Sequence, residues 1–236
     1  MGTAKLEDQP IRCVIFGPAG SGKTHLMREF PKPLVLYDFD GKYEPLIGVK
    51  GITVKSFYVE RPNECKQAWL DFWSEYKKDK KDKTIKTQVF DSLTSLDYII
   101  WNACISMIGK DPEVKKTYQA FTLPLYGDLK GAYETLFSSF KGSDKNVLVL
   151  AHETTMTDDE GKLLSISPLL SGSMKDRISA IFKDTWYLEV KGSGTSMKRI
   201  LHYQRYKFRT CSSVMMNGSG SIENPTYEKI RKEYRT

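Results

Sequence analysis

Residues 17–24 read Gly17-Pro18-Ala19-Gly20-Ser21-Gly22-Lys23-Thr24, and no other stretch restricts the possible fold as strongly. The apolar run Cys13-Val14-Ile15-Phe16 precedes them, and His25-Leu26-Met27-Arg28-Glu29-Phe30, which reads as helix, follows. Strand, glycine-rich loop and helix in that order, with G-x-x-x-x-G-K-T in the loop, form a P-loop. A glycine-rich turn with an exposed lysine would match the letters but not both flanks. Glycines let amide hydrogens close on phosphate oxygens, and the helix adds the positive end of its dipole. Gly17, Pro18, Ala19, Gly20, Ser21, Gly22, Lys23, Thr24 and His25 are therefore the candidate nucleotide-binding residues. Lys23 is the cation for the β- and γ-phosphates, and the Thr24 hydroxyl is a candidate Mg²⁺ ligand.

The rest of the 236 residues suits one α/β domain with a sizeable core. Hydrophobic content of 40% and charged content of 28% are ordinary for a soluble globular protein. No apolar run reaches membrane-spanning length, and Met1 to Pro10 is short and polar without a signal-peptide core. The expectation is a cytoplasmic protein with no membrane partner. Cys13, Cys65, Cys104 and Cys211 lie far apart, which argues against a zinc site or a disulfide framework. The net charge of +7 permits a polyanionic partner such as nucleic acid. Part of that excess is the run Lys77 to Lys86, read as a solvated loop.

Along the chain, Pro31 and Pro33 end the first helix, and Leu34 to Tyr37 begins a second buried strand leading into Asp38-Phe39-Asp40-Gly41. A third strand fits Ile52 to Tyr58. Residues 63–76 then carry Cys65, Ala68, Trp69, Phe72, Trp73 and Tyr76 at helical spacing, which suits packing on a sheet better than a base-stacking platform. Thr87-Gln88-Val89-Phe90-Asp91 reads as a strand whose terminal aspartate can serve as a second metal-side ligand. A helix follows, with Gly109 as its stop, and another runs through Leu125 to Phe140. Val147 to Ala151 is a strand ending in His152-Glu153. In open α/β sheets ligands sit at the carboxyl edge of the strands, so Asp40, Asp91 and His152 are candidates together.

Beyond residue 153 the texture changes to polar, Ser- and Gly-rich segments with Lys175 and Arg177. Thr185–Val190 and Arg199–Tyr206 form a hairpin pattern, and Arg205, Lys207 and Arg209 alternate toward one side. The chain divides into a short arm (1–10), an ATPase domain (11–216) and a tail (217–236) of Gly/Ser linker and charged segment.

This order of motifs, over residues 11–210, resembles the RecA-like P-loop ATPases, and most closely the phage nucleotide-binding proteins that include RecA-core single-strand annealing proteins. The resemblance implies a mostly parallel, twisted sheet flanked by helices with a C-terminal β-hairpin, and ATP and Mg²⁺ as ligands. It places the acid that polarises the attacking water at Asp40, with Asp38 and Glu44 as rivals and a turn-capping role as the plainer alternative. Asp91 falls at the Walker B aspartate and His152 at the γ-phosphate sensor, unless it is simply hydrogen-bonded at a strand end. Thr154 to Lys183 would be a mobile DNA-facing loop in which Lys175 and Arg177 touch phosphates. Lys207 and Arg209 would reach a neighbouring subunit's γ-phosphate as a trans finger, unless they are ordinary solvated charges. The implied partners are single-stranded DNA, further copies of the chain in a ring or filament, and a single-strand DNA-binding protein. The implied activity is ATP hydrolysis coupled to annealing or recombination. A helicase- or loader-type accessory ATPase is the alternative; a nucleotide or nucleoside kinase fits less well, since no arginine lies between residues 62 and 176.

Overall fold

In the computed structural model the described residues are 9–107, 123–171, 178 and 181–234. The first five strands are β1 (Arg12–Phe16), β2 (Leu34–Asp38), β3 (Ile52–Ser56), β4 (Thr87–Asp91) and β5 (Asn146–Ala151). Strands β2, β4 and β5 are buried at every residue, the mark of parallel strands covered on both faces. A short ribbon of β6 (Glu153–Thr157) and β7 (Leu163–Pro168) follows, then β8 (Asp184–Lys191), β9 (Lys198–His202), β10 (Ser212–Ser213) and β11 (Ser221–Glu223). Nine of these strands form one sheet among the described residues, in the order β11-β9-β8-β1-β5-β4-β2-β3, with β10 also pairing to β8. Pairings from β3 across to β8 are parallel, and β8–β9 and β9–β11 are antiparallel. The fold is the expected mostly parallel sheet flanked by helices, with a C-terminal hairpin.

Helices α1 (Lys23–Met27), α2 (Cys65–Lys81), α3 (Leu93–Met107), α4 (Leu123–Lys141) and α5 (Tyr227–Glu233) cover the two faces. Successive strand residues face opposite sides, so each strand feeds two cores. Val14, Phe16, Val147 and Val149 join Phe72, Tyr76, Leu96 and Tyr133 from α2, α3 and α4. Cys13, Ile15, Leu148 and Leu150 join Leu26 from α1 and Ile230 from α5. The aromatic face of α2 is core: Tyr76 stacks near Phe72 at 5.8 Å, and Tyr37 stacks on Phe90 at 4.9 Å.

Three segments differ from the sequence reading. The lysine-rich run is helical to Lys81, because buried Asp79 accepts from the Tyr37 hydroxyl at 3.0 Å and from Lys55 Nζ at 2.8 Å, tying that turn to the sheet. Residues 154–168, within the loop expected from Thr154 to Lys183, form the β6–β7 ribbon together with Glu153. The stretch after Asn217 supplies β11 and α5, where Tyr234 donates to Asp184 Oδ2 at 3.1 Å and Ile230 is buried. Its charged letters hid one apolar position per turn. Among the described residues no helix is long and apolar enough to cross a membrane.

Candidate nucleotide-binding site

The register brings the candidate residues to one edge. Phe16, the last residue of β1, pairs with Ala151 of β5; Leu150 pairs with Asp91 of β4; and Asp91 pairs with Asp38 of β2. All four strands therefore end level, with the P-loop leaving from the first. Gly17 belongs there for want of space, since a Cβ would lie 2.2 Å from the Leu188 carbonyl oxygen of β8. Gly20 and Gly22 take φ of 76° and 90°, the left-handed region that glycine enters freely. Leu26 N donates to Gly22 O at 2.9 Å, so α1 starts as the loop closes. Lys23 Nζ donates to the carbonyls of Gly17 at 2.9 Å and Pro18 at 3.0 Å. Burial lowers its pKa, opposed by the carboxylates of Asp91, Glu153 and Asp40. His25 is exposed.

Thr24 Oγ1 donates to Asp91 Oδ2 at 2.8 Å. Burial pushes the Asp91 carboxyl up to about 6, against the lowering effect of that hydrogen bond. A hydroxyl and a carboxylate side by side are hard oxygen donors of the kind Mg²⁺ takes, alongside substrate phosphates. Around them Ser21 Oγ, Arg199 Nε and Glu153 Oε2 are buried without a hydrogen-bond partner among the described residues, so polar capacity is left for a polar ligand. The residues present fit a magnesium–nucleotide complex.

The two aspartates after β2 divide their work. Asp38 is the turn cap: its Oδ1 accepts from the backbone of Asp40 at 3.2 Å and Gly41 at 3.0 Å, and its Oδ2 from Ser56 Oγ at 2.6 Å. Asp40 instead meets β4 and β5. Its Oδ1 accepts from Ser92 Oγ at 2.9 Å and from Ser95 Oγ, and its Oδ2 lies 3.2 Å from His152 Nε2. Burial raises the Asp40 carboxyl, but the contacts with His152, Ser95 and Ser92 outweigh it and hold the group at about 2. Glu44 lies in a short 3₁₀ turn (Glu44–Leu46) and is exposed.

His152 also begins a chain of contacts away from the site. Its backbone N–H donates to Thr94 Oγ1 at 3.1 Å, Thr94 Oγ1 donates to Leu169 O at 3.1 Å, and Leu169 N donates to His152 O at 2.8 Å. Two residues on, Ser171 N donates to Asp97 Oδ2 at 3.0 Å. Beside this chain a cleft of ≈ 340 Å³ is lined by Asp40, Lys42, Tyr58, Ser95, Tyr98 and His152, among others. A second cavity, ≈ 370 Å³, lies at the opposite edge of the sheet around Arg12, Phe140 and Tyr234, away from this chemistry. Lys175, Arg177 and Gly109 lie outside the described residues.

The expected single-sided row of Arg205, Lys207 and Arg209 is not present, because β9 ends at His202 and the chain turns at residues 207–208. Tyr206 and Arg209 bridge across that turn, where Lys207 has a φ of 49°. The Arg209 guanidinium packs 5.0 Å from the Tyr187 ring and 5.7 Å from the Tyr206 ring of its own chain. Lys207 Nζ sits 5.3 Å from the Tyr206 ring.

Two residues at the site carry no role of their own in the sequence reading, which places Glu153 with His152 at the strand end and passes over Arg199. Arg199 of β9 lies over the loop, its Nε 2.4 Å from where a Cβ on Gly22 would stand. That contact depends on hairpin register and left no local signal. Glu153 did leave one: as the residue after His152 in an extended chain, it must face the other way.

Residues 9–214 match the model of a family described as an AAA domain. No curated protein matches the chain. Among solved structures, the RadB recombinase superposes with a TM-score of 0.49 at 14% identity, covering 90% of this chain and 86% of that one. The flagellar accessory protein FlaH from Methanocaldococcus jannaschii gives 0.40 at 12% identity, covering 91% and 85%. A KaiC-like protein from Pyrococcus horikoshii gives 0.42 at 11% identity, covering 91% and 89%.

Proposed function

The chain belongs to the AAA domain family, and from that premise we propose that it binds Mg·ATP, hydrolyses it, and couples the cycle to single-stranded DNA. The observation that carries this reading is the Thr24–Asp91 hydrogen bond of 2.8 Å beside Lys23. It joins a hydroxyl and a carboxylate from separate elements at the mouth of an amide-lined loop. Thr24 and Asp91, the latter directly or through water, would hold Mg²⁺, which when bound neutralises charge on the β- and γ-phosphates. Lys23 and the loop amides bind the phosphates and stabilise the charge that builds up in phosphoryl transfer. Asp40 stays ionised near neutral pH and orients the attacking water from the β2 side. His152 stands at the γ-phosphate edge and passes its position through Thr94 to residues 169–171, a switch of the ordering kind.

Residue 171 leads into the segment that holds Lys175 and Arg177, which we assign to DNA phosphates; the net charge of +7 supports such a partner. Lys207, on an exposed turn, is the better placed of the two residues for a trans contact in an oligomer, since Arg209 is engaged with its own Tyr187. The biological setting we favour is annealing or recombination in phage DNA metabolism. The test is ATPase turnover with and without single-stranded oligonucleotide, with Lys23→Ala as control, and oligonucleotide binding measured against salt. Lys23-dependent turnover stimulated by DNA supports the whole reading. Lys23-dependent turnover indifferent to DNA, with no salt-dependent binding, favours an accessory ATPase.

A further inference from the structure

We propose that Glu153, rather than Asp40, is the carboxylate that accepts the proton of the water attacking the γ-phosphate, an inference that rests on the reading of the chain as an ATPase. Glu153 opens β6 two residues past Ala151, whose partner is Phe16, the residue before the loop. His152 turns toward Asp40, so Glu153 faces the β1–β8 side, where Lys23 and Tyr187 stand. Its negative charge acts on the Lys23 ammonium together with those of Asp91 and Asp40.

What separates these three carboxylates is spare capacity. Asp91 is taken up by Thr24 and, on the reading above, by the metal. Asp40 Oδ1 already accepts two serine hydroxyls, and its Oδ2 faces His152. A carboxylate so well satisfied is a weak proton acceptor. Glu153 lies close enough to Tyr187 for its charge to act on the phenol, and its Oε2 is buried without a hydrogen-bond partner among the described residues. A buried carboxylate oxygen left bare is costly, and a bound water restores the missing hydrogen bond. The Arg209 guanidinium packs 5.0 Å from the Tyr187 ring.

In the step itself the water oxygen bonds to the γ-phosphorus as the bond to the β–γ bridging oxygen breaks. The electron pair of that bond passes to the β-phosphate of the departing ADP. The water proton passes to Glu153 Oε2 and from there to solvent.

The test uses the full chain with Glu153→Gln, which preserves shape. Two quantities are read: equilibrium binding of a fluorescent Mg·ATP analogue, and single-turnover hydrolysis. The expected result is affinity within about threefold of wild type, hydrolysis slowed by about 100-fold or more, and a Mg·ATP complex that survives gel filtration. Asp40→Asn, measured alongside, should slow hydrolysis less than Glu153→Gln does. Hydrolysis by Glu153→Gln within about threefold of wild type overturns the proposal. So does loss of nucleotide binding together with turnover, which marks a structural role, and so does a larger loss in Asp40→Asn. A wild-type protein without Lys23-dependent hydrolysis overturns the ATPase reading as well, so the two failures are told apart.

Discussion

The Thr24 hydroxyl donates to Asp91 Oδ2 at 2.8 Å, joining the first turn of α1 to the tip of a strand 67 residues later. Neither residue has that geometry from its own segment; it comes from β5 being inserted between β1 and β4. If this pair holds Mg²⁺, Thr24→Ala removes one ligand and leaves the loop amides in place. Mg·ATP affinity should then fall by about tenfold, the scale of one charge-assisted contact. Affinity measured in EDTA should stay unchanged. Isothermal titration with and without Mg²⁺ checks both.

Burial of Asp91 makes a pH-dependent stability prediction. The carboxyl ordinarily titrates near 3.8 and is pushed up to about 6 in the folded chain. The folded state therefore holds the proton to higher pH than the unfolded state does. Stability from this group is full below 3.8 and is lost as pH rises through 6, a cost of up to about 3 kcal/mol above that. Asp91→Asn removes the cost while keeping an acceptor for Thr24. Without nucleotide, the variant should be more stable than wild type in urea at pH 7.5, with the difference shrinking toward pH 4.

Gly17→Ala tests the close approach of loop and β8. The added methyl would stand 2.2 Å from a backbone carbonyl oxygen, which cannot rotate away as a side chain can. A loss of about 2–4 kcal/mol in unfolding free energy is expected, together with loss of nucleotide binding. Gly20→Ala is the contrast: nothing lies within 4 Å of its Cβ, so only the φ of 76° is penalised, by about 1 kcal/mol.

Thr94→Val removes the side-chain link from His152 to residue 169 while keeping the side-chain shape and leaving the direct Leu169 N–His152 O bond in place. Nucleotide affinity should hold. The nucleotide-dependent change in hydrogen exchange at residues 169–171 should be smaller than in wild type. An unchanged exchange response would show that the switch runs elsewhere.

The parts legible in the sequence were those written in local letters. The P-loop needs only its eight residues and two flanks, and the buried strands β2, β4 and β5 show as apolar runs because both faces are covered. Asp91 and His152 were singled out because each follows such a run, and the sheet register sets both at one edge. What stayed hidden depends on distant register. Whether Asp38 or Asp40 caps the turn is decided by Ser56, Ser92 and His152 on three other elements. The β9 strand stops short of Tyr206 because residues 206–209 fold back on Tyr187, and α5 looked like a charged tail because its packing rests on only Tyr227, Ile230 and Tyr234.

The most direct test of the central claim is a titration of Mg·ATP into wild-type protein and Lys23→Ala. Saturable binding that weakens when Mg²⁺ is chelated and is lost in Lys23→Ala is the predicted result. Binding that survives unchanged in Lys23→Ala, or none in the wild type, would contradict it.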